Sequence, residues 1–186
     1  MVDLMVGLAM IVLLYAFTES LALGRMDVYR ERNSRQERIR VAVMKQFPEQ
    51  FRLQQISIQT DGDIQRIIFK EGVLFRAGQA GLGGLVPGAA LMLSRCGRTL
   101  VQNQRLYSEV IVEGHTDARP ISTAAFPSNW ELSAARATTI VHIFTDPAFG
   151  VGIEPGRLHA AGFGQYRPLE PTRPEDHPEW SEAERE

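Results

Sequence analysis

Within the stretch from Val110 to Ala137, VIVEGHTDARPISTAAFPSNWELSAARA, the side chains equipped for chemistry are His115, Asp117, Ser133 and Arg136. A carboxylate and a guanidinium spaced like Asp117 and Arg136 have two readings. Either they form a surface ion pair, worth little, or they present a fixed anion and a fixed cation to a ligand; spacing alone favours the first. A His–Asp pair with Ser133 nearby also invites a hydrolytic reading. No nucleophile elbow accompanies it, and Ser133 falls inside a helical pattern, so catalysis is not expected. His115, His142 and His159 lack the spacing of zinc ligands, and neither a metal nor a cofactor is expected. His115 is expected to hold its turn by hydrogen bonding.

These residues need a strand, a turn and a helix to place them. Tyr107 to Glu113 reads as a strand that breaks at Gly114 into the polar turn His115-Thr116-Asp117. Asn129 reads as the N-cap of a helix running to Thr145, with Leu132, Ala135, Thr139, Ile140, Ile143 and Phe144 on its core face. Asp146-Pro147 stops it. Upstream, Ile56, Ile58, Ile64, Ile67 and Ile68 flank the turn Thr60-Asp61-Gly62-Asp63, the pattern of a β-hairpin. Phe75, in GVLFRAGQAGL, reads as a core plug. The glycines at 78, 81, 83 and 84 lack a following Gly-Lys-Ser/Thr, which argues against a phosphate loop. Leu85 to Asn103 reads as a helix with Pro87 in its first turn. RLHAAGFGQYRP, Arg157 to Pro168, reads as a strand and a glycine turn. Beyond it the sequence is rich in Pro and Glu without an apolar period, the composition of a mobile tail.

The chain has 186 residues, 44 % of them hydrophobic, and a net charge of −2. That suffices for one cored domain with appendages and gives no reason to expect nucleic acid. Arg25 to Arg52 holds eight basic and four acidic residues; Glu170 to Glu186 holds seven acidic and two basic. The single cysteine, Cys96, excludes an internal disulfide and reads as a buried thiol. Leu4 to Leu23 is nearly all apolar and long enough to span a bilayer as a helix. Met1-Val2-Asp3 lacks the basic start of a signal peptide. Asp3 therefore reads either as a helix N-cap at the interface or as a functional intramembrane acid. Residues 1–24 are taken as a transmembrane helix, 25–50 as a charged linker, 51–169 as the globular domain and 170–186 as an acidic mobile tail.

GHTD followed by N-x-x-L-S-x-x-R-A resembles the OmpA-like peptidoglycan-binding domain, and FPSNWELSAARA is closest to its branch in MotB-type stator proteins of the flagellar motor. The resemblance covers roughly Ile56 to Pro168. It implies an α+β fold: a two-layer α/β sandwich with a βαβαβ core and a mixed sheet, preceded here by one N-terminal transmembrane helix. It implies a non-enzymatic anchor that binds peptidoglycan of the diaminopimelate type. Asp117 would hold the ligand's ammonium and Arg136 its carboxylate, with Asn129 and Thr116 adding polar contacts. Asp3, with Gly7 and Ala9 after it, looks like the family's ion-carrying membrane Asp. The implied partners are a multi-helix MotA-like membrane subunit and a second copy of this chain. The implied location is the inner membrane, single-pass, with the C-terminal domain in the periplasm. The basic segment after the apolar run favours the opposite orientation by the positive-inside bias; the wall-binding domain decides for the periplasm. The family has a basic tail ahead of its membrane helix and a last strand opening N-R-R; the true N-terminus is expected to be missing, and either the chain is clipped at both ends or this protein lacks one sheet strand. In stator proteins a segment near residues 25–46 plugs the channel; here it has only a weak apolar face. Two other readings stay open: an envelope-integrity protein without ion transport, and a stator-like subunit of a phage-defence complex.

Overall fold

The computed structural model describes residues 26–70 and 72–167. Among them no helix is long and apolar enough to cross a membrane; the expected span, Asp3 and the acidic tail lie outside the described residues.

The first helix, α1, runs over 26–46. Its surface carries ion pairs at helical spacing, such as Arg40–Glu37 at 3.3 Å. Most of its circumference is exposed. One stripe differs: Ile39, Val43 and, just past the helix, Phe47 are buried in the core. A spacing of four keeps them in single file on one face. Pro48 does not simply end this helix. It opens a short second one, α2 (Pro48–Arg52), where its missing N–H costs nothing.

Strands β1 (Ile56–Asp61) and β2 (Ile64–Phe69) form the expected antiparallel hairpin, with Asp61 opposite Ile64 and Gly62-Asp63 between them. Gly62 has φ +56°, the left-handed region such turns require. α1 lies along the hairpin: Arg32 Nη1 sits 3.1 Å from Asp63 Oδ1, and Gln36 Nε2 donates to the Gly62 carbonyl at 2.9 Å. A glycine-rich loop follows, folded over by a bridge between Phe75 and Leu85, both buried. Phe75 is thus a core plug, as its surroundings in sequence suggest. Helix α3 (Ala89–Gln102) begins later than the pattern predicts, after Gly88 at φ +86°. Pro87 therefore precedes the helix instead of sitting in its first turn.

Strand β3 (Val110–Gly114) runs parallel to β4 (Leu158–Gly162), joined through helix α4 (Asn129–Thr145), which packs on both. The α4 boundaries are the expected ones. Its buried face is shifted slightly: Leu132, Thr139, Ile143 and Phe144 are buried, but so are Ser133 and Ala137, while Ala135 and Ile140 are only partly covered. Gly114 and Gly162 lie opposite each other in the β3–β4 register. They let the α4 backbone touch the sheet at Ser133 and Ala134.

The expected single mixed sheet is corrected by the pairing. The described strands form two separate two-stranded sheets, β1–β2 and β3–β4. The β2 edge faces β3 across an open cavity, which Arg66 and Glu113 span with their side chains at 3.9 Å. Among the described residues no strand lies between them.

Cys96 sits in the core beside Leu93 and Leu100. Burial pushes its thiol up to about 12, because the thiolate would be stranded away from water. A folded sample should therefore react with Ellman's reagent at neutral pH only after denaturant is added. Rapid labelling of the native protein would contradict the burial.

Candidate functional site

β3 delivers the chain to the site at Gly114, and the next residues are held from the far side by the turn after β4. Thr116 N donates to the Gly164 carbonyl at 3.0 Å, and Phe163 N to the Gly114 carbonyl at 2.9 Å. His115 Nδ1 lies 2.7 Å from the Arg167 carbonyl, a geometry that places the proton on Nδ1. Its ring stacks on Phe163 at 5.3 Å, and Nε2 is 3.5 Å from Glu113 Oε2. His115 holds this turn, in the expected role.

Asp117 comes next, and its Oδ2 accepts from Arg119 Nε at 2.6 Å. The carboxylate is three-quarters buried, while the Arg119 side chain is 68 % exposed. Arg119 carries no signature in the sequence that would have marked it; only the turn brings it onto Asp117.

Asn129 is not the N-cap. Ser128 is: its Oγ accepts from Trp130 N at 3.1 Å, and its hydroxyl donates to Glu131 Oε2 at 2.5 Å. This is a capping box, and the Ser128 hydroxyl holds the Glu131 carboxyl below its usual range. Asn129 instead turns inward and is buried. Its amide nitrogen donates to the Arg119 carbonyl at 2.9 Å and to Gln165 Oε1 at 2.7 Å. Both amide protons are thus spent tying the 117–128 loop to the turn after β4. Asn129 braces the site.

Arg136 lies two turns along α4. Its Nε donates to the Gln79 carbonyl at 2.9 Å and its Nη2 to the Arg76 carbonyl at 3.1 Å. The guanidinium also lies over the Phe75 ring at 5.4 Å. The glycine-rich loop therefore orients the fork, and Gly81 N on Thr139 Oγ1 at 3.1 Å pins the same loop to α4. Backbone carbonyls have no sequence signature, so this support is not legible in the chain. Ser133 is fully buried; its hydroxyl donates to the Trp130 carbonyl and accepts from Gly164 N, both at 3.0 Å. That is a structural role, and no nucleophile is exposed there.

Thr116, Asp117, Asn129 and Arg136 all line one open cavity of about 2140 Å³. The hydroxyl of Thr116 is buried in its wall and has no hydrogen-bond partner among the described residues. Such a group is costly unless something supplies a partner. Among the described residues there is no cluster of His, Cys, Asp or Glu that could hold a metal.

The OmpA family model matches residues 74–179, more than half of the chain. The chain belongs to the OmpA family. Motility protein B of Bacillus subtilis is 34 % identical over 61 residues, covering 32 % of this chain and 22 % of that protein. The chain spans less than half the length of the curated relatives it matches. Among solved structures, a MotB-like protein from Desulfovibrio vulgaris superposes with a TM-score of 0.63 at 27 % identity, over 85 % of this chain and 91 % of that one. The cell wall anchor of the type VI secretion system of Pseudomonas aeruginosa superposes with a TM-score of 0.56 at 25 % identity, over 68 % and 82 %. The site of this OmpA-family chain sits where β3 and the first turns of α4 meet.

Proposed function

We propose that this chain is a non-enzymatic anchor whose OmpA-family domain binds the stem peptide of diaminopimelate-type peptidoglycan. The observation that carries the reading is the cavity itself. Its lining includes an anion, an oriented guanidinium and a threonine whose hydroxyl is orphaned. The free end of diaminopimelate bears an ammonium and a carboxylate on one carbon. Asp117 faces the ammonium, the Arg136 fork takes the carboxylate with paired hydrogen bonds, and Thr116 Oγ1 gains its missing partner. The chain should sediment with purified cell-wall sacculi and release no soluble fragments from them over hours. Steady release of muropeptides would make it a hydrolase and overturn the anchor.

The MotB-like neighbour supports a finer version: a dimeric stator subunit, single-pass in the inner membrane, paired with a multi-helix MotA-like partner and carrying protons on Asp3. The type VI anchor supports a plainer one, in which the wall is held and no ion moves. Asp3 separates them. A carboxylate packed against a partner's helices is costly when charged and less so when protonated, and a cycle between two packings can use that difference. With the partner co-expressed, Asp3→Asn should abolish proton flux or swimming while membrane insertion and wall binding persist. Unchanged output in Asp3→Asn would leave Asp3 as a helix cap and the plain anchor in place. Phage protection as the only output lost would favour the defence assignment.

A further inference from the structure

Trp130 and Tyr166 form an aromatic pair on the surface. Their rings stack at 5.4 Å between centroids with 26° between planes, yet the residues are 48 % and 66 % exposed. The rings cover part of each other, and about half of Trp130 and two-thirds of Tyr166 stay open to solvent. Large aromatic rings normally gain by burial, so a pair left open this way is costly unless it serves contact.

Its position is specific. Trp130 follows Asn129, and Tyr166 follows Gln165, the two residues joined by the 2.7 Å bond that braces the site. Trp130 therefore starts one residue, about 3.8 Å of backbone, from the cavity wall. The backbone beneath is fixed. Gly164 lies against Asn129 and Trp130, where an added Cβ would meet Trp130 N at 3.5 Å, and the Ser128 cap holds the first turn of α4. The platform is attached to the elements that carry Thr116 and Asn129, so the two cannot drift apart.

We propose that Trp130 and Tyr166 form a saccharide subsite that holds a pyranose ring of the glycan to which the stem peptide is attached. This rests on the wall-binding reading and adds the sugar to it. An aromatic face is electron-rich and its edge electron-poor. The C–H face of a pyranose fits the first. The indole N–H and the phenol hydroxyl at the rim suit the sugar's hydroxyl and acetamido groups. A stem peptide a few residues long spans about 10 Å when extended. That is the scale on which a ligand seated at Asp117 and Arg136 would bring its sugar to the flank of the cavity.

The test compares two probes on the full chain: a diaminopimelate-bearing stem tripeptide, and the same tripeptide carrying its N-acetylglucosaminyl-N-acetylmuramyl disaccharide. Wild type should bind the disaccharide form about five- to tenfold more tightly, in the range of aromatic contacts. Trp130→Ala and Tyr166→Ala should each remove most of that gain and leave tripeptide affinity unchanged, while Trp130→Phe should restore most of it. Equal wild-type affinity for both probes overturns the subsite. So does an equal loss on both probes in Trp130→Ala, the mark of a structural role. A wild type that binds neither probe sinks the wall-binding reading and the subsite together.

Discussion

Asp117→Asn and Arg136→Ala should each weaken binding to sacculi by roughly 30-fold or more while the fold stays intact. Removing one charged partner of a largely desolvated contact costs on the order of 2–5 kcal/mol, and about 1.4 kcal/mol is tenfold. Asp117 meets the condition of desolvation, with a quarter of its side chain exposed. Asparagine keeps the shape, removes the charge and exchanges one acceptor oxygen for a donor NH2. Arg136 needs a finer control, because its fork also ties down the carbonyls of Arg76 and Gln79. Arg136→Lys keeps a positive charge but loses the planar fork, so it should fall between wild type and Arg136→Ala. Arg119→Ala should matter far less. Its side chain is mostly exposed, and an exposed ion pair contributes about 0–1 kcal/mol. Sacculus co-sedimentation gives the affinities and circular dichroism the folding. Unchanged binding in both Asp117→Asn and Arg136→Ala would remove the site. Unfolding of both would reassign the charges to structure.

What the sequence disclosed follows the range of each interaction. Helix α4 was readable from Asn129 to Thr145 because its stop signal, Asp146-Pro147, and its apolar spacing are local. The hairpin was readable for the same reason, through Asp61-Gly62. The cap was misplaced by one residue because Ser128 and Asn129 can both cap. Tertiary partners decide between them: the Arg119 carbonyl and Gln165 draw the Asn129 amide inward. The buried stripe of α1 is hard to read because Ile39, Val43 and Phe47 share the segment with Val28, Val41 and Met44, which are as apolar and yet exposed. The splitting of the strands into two pairs was not legible at all, since pairing between segments far apart leaves no local pattern. In the site, the charged residues were visible by type. Their supports were not: Arg136 rests on main-chain carbonyls, and Arg119 reaches Asp117 only through the fold of the turn.

The largest effect on stability should come from two glycines that touch no ligand. A Cβ at Gly114 would collide with the Ser133 carbonyl, lying 2.8 Å from its carbon; a Cβ at Gly162 would lie 2.6 Å from Ala134 N. Both obstacles are helix backbone, which cannot swing aside as a side chain can. α4 would have to lift off β3 and β4, and Ser133 would lose its place against Gly164 N. Overpacking of a tight contact costs about 1–3 kcal/mol and sometimes more, and rigid backbone on both sides puts these two at the upper end. Gly114→Ala and Gly162→Ala should therefore each lower Tm by roughly 10 °C or more. Two other glycines calibrate the claim. At Gly97 the obstacles are side chains, Val151 Cγ1 at 2.5 Å and Phe144 Cδ1 at 3.0 Å, so Gly97→Ala should cost less. At Gly83 nothing lies within 4 Å, so Gly83→Ala should be close to neutral. Lifting α4 also carries Asn129 and Arg136 away from Thr116, so the Gly114 variant should lose wall binding together with stability, unlike Asp117→Asn. Thermal melts of the four alanine variants decide it: a Gly114→Ala protein melting within 2 °C of Gly83→Ala would mean that α4 does not sit on the sheet through these glycines.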